Sequence, residues 1–386
     1  MQHLQHYFLL RTDVTFLNYG SFGACVKPVF EKYQQYQLEL EQEPVDFIVH
    51  KGIEYLQESR AALGQYLHCD KDDLVFVTNP SYAVNTIARS LNLQPGDEVL
   101  TTDIEYGACD KAWEFVCQKA GAKYVKQPVR FPISTVENFV DDFFKGVTAK
   151  TKLVFISHIT STTALLLPVA AIGKRAKELG VLCFVDGAHA PGQVPLSLAD
   201  SPFDFYTGAC HKWMLTPKGS SFMYVRREHQ PLEPLVVSWG YKAMFPSNSM
   251  FLDHHQMNGT RDYSAFLTIP TAIDFMAAHH WPAVAAQCRE LVYANAAEHR
   301  ALLGAEALSP VNSDWVVQMY SAEIKTKEPE KLHDLLRRQY HIQIPVMRHG
   351  NKVFLRYSIN AFNTQEHLNH LFAAIKDIRK NTTWIE

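Results

Sequence analysis

VLCFVDGAHAPGQVPLSLADSPFDFYTGACHKWMLTPKGSSFMYV, Val181 to Val225, decides the fold. Val181–Val185 is an apolar, β-rich run and predicts a buried strand. It stops on a lone carboxylate, Asp186, followed by Gly187. A second run, Phe203–Thr207, leads into Gly208, Ala209, Cys210, His211 and Lys212. Two small residues ahead of a His-Lys pair predict a tight turn that carries a lysine into a cleft. A third run, Ser221–Val225, returns as a strand after Thr216-Pro217-Lys218-Gly219. An acid therefore ends one strand and a lysine follows the next, 26 residues on.

Taken singly, an Asp at a strand end is commonly a helix cap, and a Lys is commonly solvated. Together they suit one chemistry. A lysine amine forms a Schiff base with a carbonyl cofactor. A carboxylate is the usual partner of the pyridinium nitrogen of pyridoxal phosphate. At this point the chain resembles the class V aminotransferase family of pyridoxal-phosphate enzymes, fold type I. The matching residues are Asp186-Gly187-Ala188-His189, Gly192, Pro195, Asp204-Phe205, His211-Lys212, Pro217, Gly219 and Tyr224-Val225.

The pattern around this stretch predicts an α/β architecture independently of the resemblance. Strand runs at 74–78, 98–102, 123–128 and 153–157 alternate with helical patterns at 52–67, 82–91, 113–119, 139–145 and 172–179. Such alternation predicts a mostly parallel, doubly wound sheet, and ligands of such sheets sit at the carboxyl ends of the strands. Ser81, Tyr106, Ser161, Asp186 and Lys212 all fall at predicted strand ends or in the loops after them. Beyond a long helix at 265–279, strands at 316–323 and 353–359 with helices at 329–338 and 364–380 predict a smaller α+β domain. The expected division is a large domain, 16–262, and a small one, 263–386, joined by an N-terminal arm, 1–15.

The resemblance implies roles for further residues. Asn18 and Ser21, in Asn18-Tyr19-Gly20-Ser21, face the substrate; without the resemblance this is a turn before a helix. Ser81 and Tyr82 stand where the family cradles the cofactor phosphate, with Asn-Pro-Ser in place of the usual Asn-Ala-Thr. A helix N-terminus binds anions, although a plain helix cap reads equally well. Tyr106 is the candidate to lie over the cofactor ring, or else simply closes a βα loop. Ser161 and His189 are the candidates near the ring hydroxyl, and His211 joins Lys212 in the cofactor set. Thr260, in Gly259-Thr260-Arg261-Asp262, is implied to reach the phosphate of a partner subunit in a homodimer; the alternative is a loop bond within one chain. Arg356 lies in the apolar strand Phe354-Leu355-Arg356-Tyr357-Ser358. A buried Arg needs a partner, and the family uses it as a bidentate clamp on the substrate carboxylate. The alternative is a structural salt bridge. Ser238-Trp239-Gly240 and the Gly-Thr-Arg-Asp run look most like the isopenicillin N epimerase branch.

Composition bounds the rest. The chain has 386 residues, 47% hydrophobic and 20% charged, with a net charge of −3. That is ordinary for a globular protein and offers no basic field for nucleic acid or anionic membrane. No apolar run is long enough to span a bilayer, and the first twenty residues do not read as a signal peptide. Seven scattered cysteines without a CxxC suit free thiols in a cytoplasmic setting, and no metal is expected. A nucleotide-binding Rossmann reading lacks its Gly-rich loop. An inactive protein of the same fold would be expected to lose Lys212 or Asp186, and both stand. The expected reaction is proton exchange at the α-carbon of an amino acid, with epimerisation as the net result. C–S lyase chemistry is the runner-up and transamination a third outcome. No cysteine occurs between Lys325 and Arg356, where a desulfurase of this family would carry its sulfur acceptor.

Overall fold

A computed structural model describes residues 2–244 and 246–385. Its strands, in chain order, are β1 Thr15–Phe16, β2 Leu74–Val77, β3 Glu98–Thr102, β4 Lys123–Gln127, β5 Thr151–Ser157, β6 Leu182–Gly187, β7 Phe205–Ala209, β8 Ser221–Val225, β9 Met319–Glu323, β10 Ile342–Gln343, β11 Val346–His349 and β12 Lys352–Ser358. Seven of them form one sheet in the order β2-β8-β7-β6-β5-β3-β4. Only β8 runs against the others, pairing antiparallel with both β2 and β7.

Alternate residues of these strands feed two separate cores. Leu153 and Phe155 of β5 pack on one face with Ala83, Ile87, Trp113 and Val116. Val154 and Ile156 pack on the other with Phe139, Phe143, Ile172 and Ala176. Helices therefore cover both faces: Pro80–Ser90 and Gly107–Ala120 on one, Val136–Phe144 and Val169–Glu178 on the other. This is the doubly wound arrangement expected from continuous apolar runs, which leave no face for water.

The C-terminal part carries a three-stranded antiparallel sheet, β11-β12-β9. The N-terminal segment joins it through β1, which pairs with β10. Two departures from the sequence pattern have local causes. The single helix expected over 265–279 is two, Ser264–Leu267 and Ile269–Ala278, because Pro270 starts a new helix at its first turn. The helix Trp281–Leu303 was not expected. It opens on Pro282 after a left-handed His280 and closes on left-handed Gly304. Its buried face mixes Asn295 and His299 with apolar residues, which blurs the helical stripe. No helix among the described residues is long and apolar enough to cross a membrane.

Candidate active site

The sheet order reverses beside β3: β4 lies on one side of it, and β5 to β8 lie on the other. The carboxyl ends of strands at such a switch point open a crevice. Here they frame a cavity of about 440 Å³ whose walls include Ser21, Ser81, Tyr106, Ser161, Asp186, His189, His211 and Lys212.

Asp186 ends the apolar run of β6 and is 4% exposed. One carboxylate oxygen accepts the Ala188 N–H at 2.9 Å. The other accepts the Cys109 thiol at 3.4 Å. Burial pushes its pKa up, while the Ala188 N–H, Lys212 and Cys109 pull it down. The residue after it must be glycine, since a Cβ on Gly187 would stand 2.1 Å from the Tyr206 hydroxyl.

Lys212 follows β7 in a turn closely packed by the N-terminal loop. A Cβ on Gly23, at φ +65°, would meet the His211 carbonyl at 2.4 Å and the Lys212 Cα at 2.7 Å. Lys212 Nζ lies 3.3 Å from His189 Nε2. The Trp213 indole lies 3.4 Å from His189 Nδ1. An indole N–H can only donate, so Nδ1 accepts. A neutral imidazole of that tautomer carries its proton on Nε2 and gives it to the Lys212 amine, which must then offer a lone pair. The electrostatics agree. Burial holds His189 well below its usual pKa and lowers that of Lys212 to about 8, against the opposing pull of Asp186.

Arg356 comes from β12 and is fully buried. Nη1 donates to the Ser161 carbonyl at 2.5 Å and approaches the Ser161 hydroxyl at 3.4 Å. Nη2 donates to Asn18 Oδ1 at 3.4 Å and Ser21 Oγ at 3.3 Å. Its Nε has no partner. Every acceptor recorded for it is a neutral oxygen, and burial alone depresses its pKa to about 10. The structural salt bridge considered from sequence is not what holds it.

The helix Pro80–Ser90 starts at the cavity, where Asn79, Pro80 and Ser81 form part of the wall. Tyr82 departs from its expected place. Its N–H is taken by Asn79 Oδ1 at 3.0 Å, and its side chain lines a neighbouring groove. The Asn79 cap that starts the helix uses one of the two donors expected for phosphate. Tyr106 precedes the helix Gly107–Ala120 and is 48% exposed at the cavity. His211 is fixed by donating Nδ1–H to the Ser220 carbonyl at 2.8 Å. Thr260 is exposed and is not part of the cavity wall.

Three neighbours were not singled out from sequence. Glu105, 3% exposed, accepts the Ser157 N–H at 2.9 Å and the Thr102 hydroxyl at 2.6 Å. Burial raises its pKa to about 8. Cys109 and Met347 also line the cavity. Cys109 faces Asp186 from the helix after β3, and no spacing rule joins positions 77 residues apart.

Residues 24–371 match the family model of the class V aminotransferases. The chain belongs to that family. It is 32% identical over 384 residues to an isopenicillin N epimerase of Amycolatopsis lactamdurans, covering 95% of this chain and 96% of that protein. It is 31% identical over 278 residues to a putative L-cysteine desulfhydrase 1 of Oryza sativa subsp. japonica, covering 67% of this chain and 56% of that protein. Its fold matches the apo structure of a cysteine desulfurase from Thermococcus onnurineus NA1, with a TM-score of 0.84, 19% identity, and 98% of both chains covered.

The family uses pyridoxal phosphate, and the donor set fits that group. Lys212 would hold its carbonyl carbon, Asp186 its ring nitrogen, and the start of the helix Pro80–Ser90 its phosphate. The neutral amine inferred for Lys212 gives a pH dependence. Carbonyl addition needs the free amine, and that fraction grows as pH rises through about 8. The rate at which cofactor-free protein captures pyridoxal phosphate covalently, followed by visible absorbance, should rise through that pH and level off above it. A rate still climbing toward the ordinary lysine range near pH 10.4 would contradict the assignment.

Proposed function

We propose that the protein is a pyridoxal-phosphate enzyme that exchanges the α-proton of an amino acid, with epimerisation or racemisation as its net reaction. The observation that carries this reading is a buried lysine amine, within the electrostatic reach of Asp186 and of a buried Arg356 that has no acidic partner among the described residues. The cofactor supplies an electron sink for the pair left at the α-carbon. The protein's residues do the rest. Arg356 binds the substrate carboxylate and thereby orients the Cα–H bond. Lys212 Nζ takes the α-proton from one face, and inversion follows when a proton is delivered to the opposite face of the α-carbon. Asp186 holds the proton on the cofactor's ring nitrogen. The Trp213–His189 pair favours the basic form of the amine whenever Lys212 is free.

C–S lyase chemistry is the second reading, favoured by the similarity to a putative cysteine desulfhydrase over two thirds of the chain. A persulfide route through the cavity's own thiol is opposed by its environment. Cys109 is buried against Asp186, and both burial and that carboxylate push its pKa well up, so it stays a thiol rather than a nucleophilic thiolate.

The same reading divides the chain near residue 262 into a large part holding the cofactor and a small part supplying Arg356. It also makes the active form a homodimer. Thr260 reaches nothing in its own cavity. Val237, Trp239 and Met244, in the segment before it, are 66%, 76% and 75% exposed. Three large apolar side chains so exposed within eight residues suit a second copy.

Candidate amino acids incubated with the enzyme in deuterated water should gain deuterium at Cα without releasing sulfide. Lys212→Ala should abolish this exchange together with the visible band that borohydride bleaches. Rapid sulfide release from L-cysteine without Cα deuteration would favour the lyase instead. Arg356→Leu should raise KM roughly 30-fold or more while sparing cofactor capture, since losing one partner of a buried charge pair costs about 2–5 kcal/mol. An unchanged KM would remove Arg356 from the substrate site. Sedimentation should find a dimer; a fully active monomer would dismiss the shared site.

A further inference from the structure

The cavity wall contributed by the C-terminal part is a short hairpin, β11 with β12. Side chains alternate along a strand, so Met347 and His349 of β11 share one face and Val346 and Arg348 the other. Arg348 points away from the cavity and pairs with Glu330 at 3.1 Å. His349 points toward the large sheet, its Nε2 2.6 Å from the Asp103 carbonyl. Asp103 follows β3 and is itself fixed, its carboxylate accepting the Val129 N–H at 2.9 Å. On the adjacent strand, Arg356 is bonded to the Ser161 carbonyl at 2.5 Å. The hairpin is thus tied to the large sheet at two places, on strands β11 and β12, and Met347 lines the cavity from β11.

The charges of the cavity are already spoken for. Among the residues forming its wall, Asp186 and Lys212 are the one carboxylate and the one amine, and both serve the cofactor and the α-carbon. Arg356 stands behind Ser161 and serves the α-carboxylate. The large uncharged side chains left in the wall are Phe22, Ile159, Tyr106 and Met347, beside the hydroxyls of Ser21, Ser157 and Ser161. A carboxylate or ammonium group placed against that surface would lose water and find no opposite charge free to pair with it, which is costly. An unbranched apolar or thioether chain would meet a flexible, polarizable methionine that adapts its shape.

We propose that Met347 is a specificity-determining residue, and that the substrates are α-amino acids whose side chain next to the α-carbon is uncharged and apolar. This rests on the amino-acid reading above and names the substrate class for it.

The test compares L-norleucine with L-glutamate, chains of similar reach and different charge, on the purified holoenzyme. Affinity is read from the ligand-dependent shift in Tm and from the change in cofactor absorbance, neither of which needs turnover. Wild type should bind norleucine at least tenfold more tightly than glutamate. Met347→Arg should reverse the order, bringing glutamate at least tenfold tighter than in wild type. Met347→Ser, which introduces no charge, should weaken norleucine about tenfold and leave the unliganded cofactor spectrum unchanged. Wild type preferring glutamate, or a norleucine-to-glutamate ratio unmoved by both substitutions, would overturn the proposal. If norleucine binds as expected but its α-carbon takes up no deuterium, the proton-exchange reading falls and the specificity assignment stands. If no amino acid binds at all, both fall.

Discussion

A carboxylate held out of water at the end of an apolar strand is the constraint on which the site depends. Stripping water from Asp186 costs several kcal/mol unless neighbours replace it. The neighbours come from three directions: the Ala188 N–H, the Cys109 thiol and, at longer range, Lys212. The strand end is then fixed by what surrounds it. The Asp186 carbonyl accepts the His158 N–H at 2.8 Å. The His158 ring in turn lies 2.9 Å from the Tyr206 hydroxyl. That hydroxyl fills the space a Cβ on Gly187 would need. Moving any one of these groups moves the carboxylate.

The charge count of the site explains its direction. Lys212 and Arg356 bring two potential cations to a region with one principal anion, Asp186, since burial keeps Glu105 protonated up to about pH 8. The protein answers by weakening both cations: burial draws Lys212 down to about 8 and Arg356 to about 10. Neither group has a carboxylate bonded to it. A site built this way gains most from ligands that bring negative charge. A phosphate at a helix start and a carboxylate at Arg356 are the two that this geometry accommodates.

How much of this could be read beforehand differs between fold and site. The strands 98–102 and 221–225 and the helices 52–67 and 329–338 have the bounds expected from their apolar periods. Asp186 stands out in the sequence because a strong strand pattern stops on it, and Lys212 because it closes the short turn after the next such run. Glu105 and Cys109 do not, because their roles depend on register: Ser157, which binds Glu105, pairs across the sheet with Asp186. Met347 was hidden in a short edge strand with no clear alternation, Val-Met-Arg-His. Tyr82 shows the opposite error. Its N–H lies at the right helix end, yet Asn79 takes it, and a helix-capping preference that the sequence also displays wins.

The choice between reactions turns on groups that the large sheet does not supply. Lys212, Asp186 and His189 lie within a single stretch of 27 residues, and under the proposed reading they serve proton transfer at Cα whatever follows it. Whether the proton returns or a β-substituent departs depends on how the substrate is held beyond its α-carbon. In the proposed reading Arg356 and Met347 supply that hold from the other end of the chain, on adjacent strands of one hairpin. Because β11 and β12 are bonded in register, Met347 opposite Phe354 and Val346 opposite Leu355, a shift at the side-chain wall is passed directly to the carboxylate clamp. The His349 bond to Asp103 limits that shift. The chemistry common to the family can therefore stay with the sheet while the outcome changes with the hairpin.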